Sequence, residues 1–503
     1  MRTLLFLSLL LISLTFSNNA SEGMMNYDPD KTVLLESSQE PVISFKIWFK
    51  SGSQDDPSGK EGLAYFTARM LSEGGTLNNS YEQILLKLFP FAASYYASAG
   101  TEMTIFGGRI HKDNLGEFYK LFIDQLLNPA FSQDAFARIK ENTLNYLKTT
   151  LKYSSDEELG KAVLYNKIFR GTGYGHISSG TISSVESITI EDVKQFFKKY
   201  YNRNNFVLGL AGGFEKDFPA KVFSDLQKLS DGKESIVKAP EPKPVKGLNV
   251  TIVNKKSNAT AISIGFPIDL LRGSREWYAL AIANSYFGEH RNSSSHLYQV
   301  IREARGLNYG DYSYIEHFPN GGRFQMPMPN APRKKQIFEI WIRPVPNETK
   351  HFSLRAALRE LRKIVDGGLS QEQFDLTRNF LKKYVLHYAP DMNTRLGYAL
   401  DDKFYGMKES HLALFRKMMD QLTLEDVNKA IKKYLQYDNM EIVMITDEDK
   451  PLKDALVTNA PSPISYATPK PDTVLEEDKE IINYKLQISG DKVEFLTLDE
   501  LFK

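Results

Sequence analysis

The chain has 503 residues, 42% hydrophobic and 12% aromatic, so it can bury more than one sizeable core. Sixty-three Lys and Arg against 62 Asp and Glu leave a net charge of +1, which makes no electrostatic case for nucleic acid. The complete lack of cysteine excludes disulfides, thiolate metal ligands, a Cys nucleophile and a lipidated N-terminal Cys.

Residues 1–20 read as a secretory signal peptide. Arg2 supplies the positive start, Leu4 to Phe16 is apolar apart from Ser and Thr, and small polar residues follow from Ser17 to Ser21. The run is shorter than the about 20 apolar residues that span a bilayer, and no later stretch reaches that length. The expectation is therefore an exported protein, periplasmic or secreted, with no transmembrane segment.

A first half is expected over 28–230. Val42–Phe49 is strand-like, and Gly62–Glu73 places Leu63, Phe66, Met70 and Leu71 at helical spacing. Ser94–Ala99 and Glu102–Ile110 read as a hairpin turning at Gly100-Thr101. Leu115, Phe118, Phe122 and Leu126 mark the core face of another helix. Residues 231–247 are charged and punctuated by proline, as an exposed linker should be.

The second half, 248–450, repeats the first. Thr189-Ile-Glu-Asp-Val193 returns as Thr423-Leu-Glu-Asp-Val427, and each is followed by Lys-Lys-Tyr and then by an apolar strand, Phe206–Leu210 or Met440–Ile445. Ser132-Gln-Asp-Ala-Phe136 returns as Ser370-Gln-Glu-Gln-Phe374. The offsets are 234 residues (189 to 423) and 238 (132 to 370), and two echoes in the same order point to duplication. Leu248–Val253 and Thr260–Phe266 read as strands, Glu276–Phe287 as a helix, and Tyr309–Glu316 with Phe324–Met328 as a strand pair. Residues 451–503 form a tail with a proline-rich stretch at Ala460–Pro471. Short alternating pieces near Ile481–Leu486 and Val493–Leu496 suggest a terminal strand or hairpin. The fold class expected is α+β: two similar halves, each a mostly antiparallel sheet covered by helices on one face.

The eight histidines (111, 176, 290, 296, 317, 351, 387 and 411) are scattered, and none forms the i, i+4 pair of a zinc peptidase helix. There is no G-x-S-x-G elbow and no phosphate-binding glycine loop. Several stretches, taken in order, do carry a resemblance. They are Gly62–Leu71, Leu127–Phe131, Gly180-Thr181 with Val185–Thr189, and Asn205–Gly213. In the second half they are Ser295-His-Leu297 and Arg302-Glu-Ala-Arg-Gly-Leu-Asn-Tyr309. In this order, and with the duplication, the chain resembles the pitrilysin/insulinase-type zinc peptidases, whose processing-peptidase-like fold would span about Val42 to Ile445.

The resemblance implies an H-x-x-E-H helix at Gly62–Met70, with two His on the metal and the Glu activating water. This chain has Tyr65, Ala68 and Arg69 there. The distal Glu ligand should fall near Asn145–Leu147, where Asn145 and Tyr146 stand, with Glu141 close by. No zinc is therefore expected in this chain. The resemblance also implies an Arg and a Tyr seven residues apart that bind substrate and steady the tetrahedral intermediate; Arg302 and Tyr309 match that pattern. The function it implies is that of a zinc-free subunit paired with a zinc-bearing homologue in a bacterial two-subunit peptidase, with peptides as substrates. Substrate would add as a strand to a sheet edge, near Gly321-Gly322 or Tyr65–Ala68. The alternatives are a non-catalytic peptide-binding or scaffold protein, and a stand-alone hydrolase with an unrecognised site.

Overall fold

The computed structural model describes residues 27–236, 239–319, 326–447 and 450–502. The expected signal peptide and Gly321-Gly322 lie outside the described residues.

Two mixed sheets carry the architecture. The first contains β1 (Thr32–Glu36), β2 (Val42–Phe49), β3 (Ser94–Ala99), β4 (Thr104–His111) and β5 (Phe206–Gly212), in the order β1-β5-β2-β4-β3. The second contains β6 (Leu248–Asn254), β7 (Ala259–Ile268), β8 (Asp311–Tyr314), β9 (Gln336–Pro346), β10 (Met440–Thr446) and β11 (Val493–Thr497), in the order β11-β6-β10-β7-β9-β8. Without β11 the two orders are the same strand for strand, and in each the first pair in the order is parallel (β1 to β5, β6 to β10). The remaining pairs within each repeated unit are antiparallel. The duplication legible in the sequence is thus a duplication of topology.

Local chemistry explains the echoes. Thr189 and Thr423 each cap a helix: Asp192 and Asp426 N–H donate back to the Thr hydroxyl, and each Asp carboxylate accepts from the Thr N–H. Ser132 and Ser370 accept likewise from Ala135 and Gln373 N–H. All four positions are helix starts, which is why they repeat.

The sheets differ from expectation in being covered on both faces. In β2 every residue from Ile43 to Phe49 is buried, and β5 is buried throughout. One face of the first sheet carries its own helices; the other receives the helix Met392–Tyr405 from the second half, whose Leu400 packs with Trp48, Met103, Ile105 and Val207. The exchange is mutual. The helix Asp156–Phe169 of the first half lies across β7 and β10, with Gly160 so close that a Cβ there would stand 2.8 Å from Ser263 Oγ. A buried polar chain ties the same joint. Lys46 Nζ donates to Asn330 Oδ1 (2.6 Å), Asn330 N–H to Asp401 (2.9 Å), and Arg272 bonds both Asp401 and Glu316. Burial pulls the Lys46 ammonium down to about 8.

Two expectations need correction. β8 pairs with β9; of its expected partner Phe324–Met328, residues 324 and 325 lie outside the described residues, and 326–328 carry no strand. Ile481 and Ile482 close the helix Asp472–Ile482, where Ile481 and Asp478 are buried at helical spacing, so no strand spans Ile481–Leu486. Val493–Thr497 is the terminal strand that the alternating pattern suggested, and it joins β6 in parallel. β1 and β9 are strands that the sequence pattern did not single out. No helix among the described residues is long and apolar enough to cross a membrane.

Truncating Leu400 to Ala removes the plug of the exchanged helix from a fully buried site. The expected cost is about 2–5 kcal/mol, read as a lower denaturation midpoint, with faster proteolysis of the 231–247 segment as the halves loosen.

Candidate functional site

The helix α1 (Leu63–Glu73) begins at Gly62, held at φ 100°. The buried Asp56 carboxylate accepts from Gly62 N–H and Ala64 N–H, both at 2.7 Å, and so caps two free donors of the first turn. Leu63, Phe66, Met70 and Leu71 turn into the first-half core. Tyr65, Ala68 and Arg69 turn the other way, into a cavity of about 510 Å³ between the halves.

One wall of the cavity is α1 and the open edge strand β3 (Ala97, Ser98, Ala99). A second is the helix Asp156–Phe169, with Glu158, Lys161 and Tyr165. His317, Phe318, Arg333 and Trp341 of the second half close it. On α1, Arg69 makes a bidentate pair with Glu73 (2.7 Å for both bonds), and its third nitrogen donates to Tyr65 Oη at 3.3 Å. Arg138 Nη2 donates to the Glu73 carbonyl at 2.7 Å, which fixes the far end of that pair. Across the cavity, Tyr165 donates to the buried Glu339 carboxyl, which also accepts from Trp341 Nε1 at 2.7 Å. Burial pushes Glu339 up to about 7 and holds the His317 imidazole well below its usual range, hence neutral.

Tyr146 lines the cavity, at the head of a π-helical segment, Tyr146–Ser154. Glu141 is exposed and is not among the lining residues. Arg302 and Tyr309 do not line it either. Arg302 sits in a second π-helical segment, Tyr298–Glu303, where Ala304 N–H reaches back to Gln299 O. Its nearest charge is Glu303 at 3.9 Å. Tyr309 is 78% exposed just ahead of β8, the open edge of the second sheet.

Two family models match the chain: insulinase (peptidase family M16) over residues 32–181, and peptidase M16 inactive domain over 187–381. This chain belongs to the M16 peptidase family. The first match covers β1 to β4 of the first sheet, and the second covers β5 together with β6 to β9 of the second sheet. Among the M16 relatives, an uncharacterized zinc protease of Rickettsia bellii is 24% identical over 64% of this chain and 75% of its own length. A non-peptidase homolog, YmxG, of Helicobacter pylori is 21% identical over 82% and 90%. The fold matches the crystal structure of a peptidase M16 inactive domain from Pseudomonas fluorescens with a TM-score of 0.73, at 23% identity over 82% of this chain and 94% of that one.

The zinc that active M16 members hold does not fit this site. A phenol, a methyl and a guanidinium face the cavity from α1, and a fixed cation repels a divalent one. Arg69 is already engaged by Glu73 and Tyr65, and Tyr146, in the stretch where the resemblance puts the distal ligand, offers a phenol and no carboxylate. No group of three or more His, Cys, Asp or Glu able to hold a metal occurs among the described residues. The chain is an inactive M16-type peptidase-like protein.

Sequence reasoning found Tyr65, Ala68, Arg69 and Tyr146. It missed Lys161, Tyr165, Arg333, Glu339 and Trp341, whose contacts span distances such as the 174 residues between Tyr165 and Glu339. No local spacing signals them.

Glu339 gives the site a pH signature. Its folded pKa lies above the ordinary 4.5, so its contribution to stability is full below about 4.5 and is lost as pH rises through about 7. Thermal melts should fall between pH 5 and pH 8, with a slope on the order of 1 kcal/mol per unit at most. Glu339→Gln should flatten that part of the profile.

Proposed function

We propose that this chain is the zinc-free subunit of a periplasmic two-subunit zinc metallopeptidase, binding peptide substrate and stabilising its transition state beside a partner that carries H-x-x-E-H. The observation behind this reading is a contrast within one chain. The metal helix is closed by the Arg69–Glu73 pair, whereas Tyr309 is 78% exposed and the half-buried Arg302, over the Tyr298 ring, has only the long 3.9 Å contact with Glu303 as an ion pair among the described residues.

Arg302 carries a fixed charge and a forked donor, and Tyr309 a hydroxyl donor on a stiff ring. Converging on the carbonyl oxygen of a scissile peptide, the two would donate to the negative charge that grows there as water adds. The metal and the base that activates water would come from the partner. Among the described residues β3 and β8 are edge strands with one side free for an extended peptide, and Tyr309 lies two residues ahead of β8. The N-terminal pattern of Arg2 and the apolar Leu4–Phe16 supports export to the periplasm.

A second reading, a non-catalytic peptide-binding scaffold, is favoured by the likeness to the Helicobacter pylori non-peptidase homolog. The two separate on mixing. The isolated chain should cleave no peptide, and addition of a zinc-bearing M16 homologue from the same cell should produce a stable complex with activity that neither shows alone. Arg302→Ala or Tyr309→Phe should lower kcat/KM of the pair by about 10²–10³, the scale of one lost oxyanion donor, without breaking the complex. A pair that works equally well with both substitutions, or a chain that never stimulates any such homologue, favours the scaffold.

A further inference from the structure

We propose that the cavity between the halves is a receptor for a peptide carboxylate, with Arg333 as its anchor. This deepens the peptide-binding part of the function proposed above, and it requires neither the partner subunit nor its metal.

Three cationic side chains line the cavity, and two of them are already satisfied. Arg69 is held by Glu73, and Lys161 Nζ lies 2.6 Å from Glu158 and 3.3 Å above the Trp341 ring. Arg333 is different. It is 6% exposed, and its Nε and Nη1 are buried without a hydrogen-bond partner among the described residues. Its guanidinium lies over two rings, 4.6 Å from the Tyr165 centroid and 5.3 Å from that of Tyr174. The hydroxyls of those rings are spent elsewhere, Tyr165 on Glu339 and Tyr174 on Glu102. Glu339 in turn is occupied by Tyr165 and Trp341.

A buried guanidinium with open donors is expensive, because nothing replaces the water it gave up. Stacking on aromatic faces fixes the plane of the fork but leaves its N–H edge unpaired. The group that satisfies such an edge is a planar, two-oxygen anion, and a carboxylate matches it.

The surroundings select a peptide as the carrier. Ala97, Ser98 and Ala99 of the open edge strand β3 line the same cavity and offer backbone groups to a second strand. Ile177, Phe318 and Trp341 supply apolar walls for side chains. The volume of about 510 Å³ falls in the range of small-ligand sites, about 300–1,000 Å³. A peptide end could lie along β3 with its carboxylate on Arg333. An inorganic anion would use Arg333 and leave the strand edge and apolar walls bare.

The test uses the full mature chain alone, with binding followed calorimetrically and by tryptophan fluorescence, since Trp341 lines the cavity. The probes are the tripeptide Ala-Ala-Phe as free acid, the same peptide as its C-terminal amide, acetyl-Ala-Glu-Ala-amide, and inorganic phosphate. The free acid should bind saturably, and the amide at least about tenfold more weakly, as expected for a lost charge-assisted bond. Binding of the glutamyl amide in place of the free acid would keep the carboxylate site and assign its source to a side chain. Arg333→Gln should erase the difference between acid and amide, and Arg333→Lys should retain part of it. The acid–amide comparison on the native chain is decisive even where a variant fails to fold. Equal binding of acid and amide, undiminished binding by folded Arg333→Gln, or phosphate binding more tightly than every peptide would overturn the proposal. Because no partner is present, this result stands apart from the outcome of the reconstitution experiment.

Discussion

Each sheet in this protein has two apolar faces, and its own half supplies helices for only one of them. The remaining face is covered by a helix lent from the other half: Met392–Tyr405 crosses β2 and β5, and Asp156–Phe169 crosses β7 and β10. Neither half could be exposed alone without uncovering residues such as Trp48, Leu400, Val443 and Ile445. This mutual covering holds the two halves as one body, and the buried chain from Lys46 through Asn330 and Asp401 to Arg272 fixes their register.

The inter-half cavity follows from that joint. It opens where the lent helix Asp156–Phe169 leaves the first sheet, so its lining is drawn from α1, β3, that helix and the second half at once. In a fold built to place a metal at this spot, the chain places a guanidinium. Arg69 and Tyr65, one helical turn apart, face the cavity as a metal-binding pair would, but Glu73 has claimed the cation. The substitution is a coherent structure with its own hydrogen bonds, and Arg138 adds a further tie at Glu73.

Features governed by neighbours in sequence were legible before any coordinates. The Thr189 and Thr423 caps, the joining of β3 to β4 by a short loop (expected at Gly100-Thr101, found at 100–103) and the face of α1 are all set within a few residues. The presence of Tyr65, Ala68 and Arg69 at the resembled motif's positions is likewise a reading of neighbouring residues. Features governed by remote partners were not legible. Lys46 and Ser44 are polar inside a fully buried strand, which hid the second covered face of the sheet from any reading of alternation. β9 carries two prolines and pairs across more than twenty residues with β8, so the nearer Phe324–Met328 looked the better partner. Arg333 sits in a short basic stretch, Arg333-Lys-Lys335, that reads as a solvated turn; only the fold places it between Tyr165 and Tyr174.

In α1 an internal ion pair, Arg69 with Glu73, stands where the resembled motif would hold a metal. Elemental analysis of the purified chain, after incubation with excess zinc and gel filtration, addresses it without reference to substrate or partner. The expected content is far below one zinc per chain, equal to that of an Arg69→Ala control in which the ion pair is gone but no ligand is gained. One equivalent of zinc retained by the native chain and lost on substitution at Tyr65 or Tyr146 would contradict it.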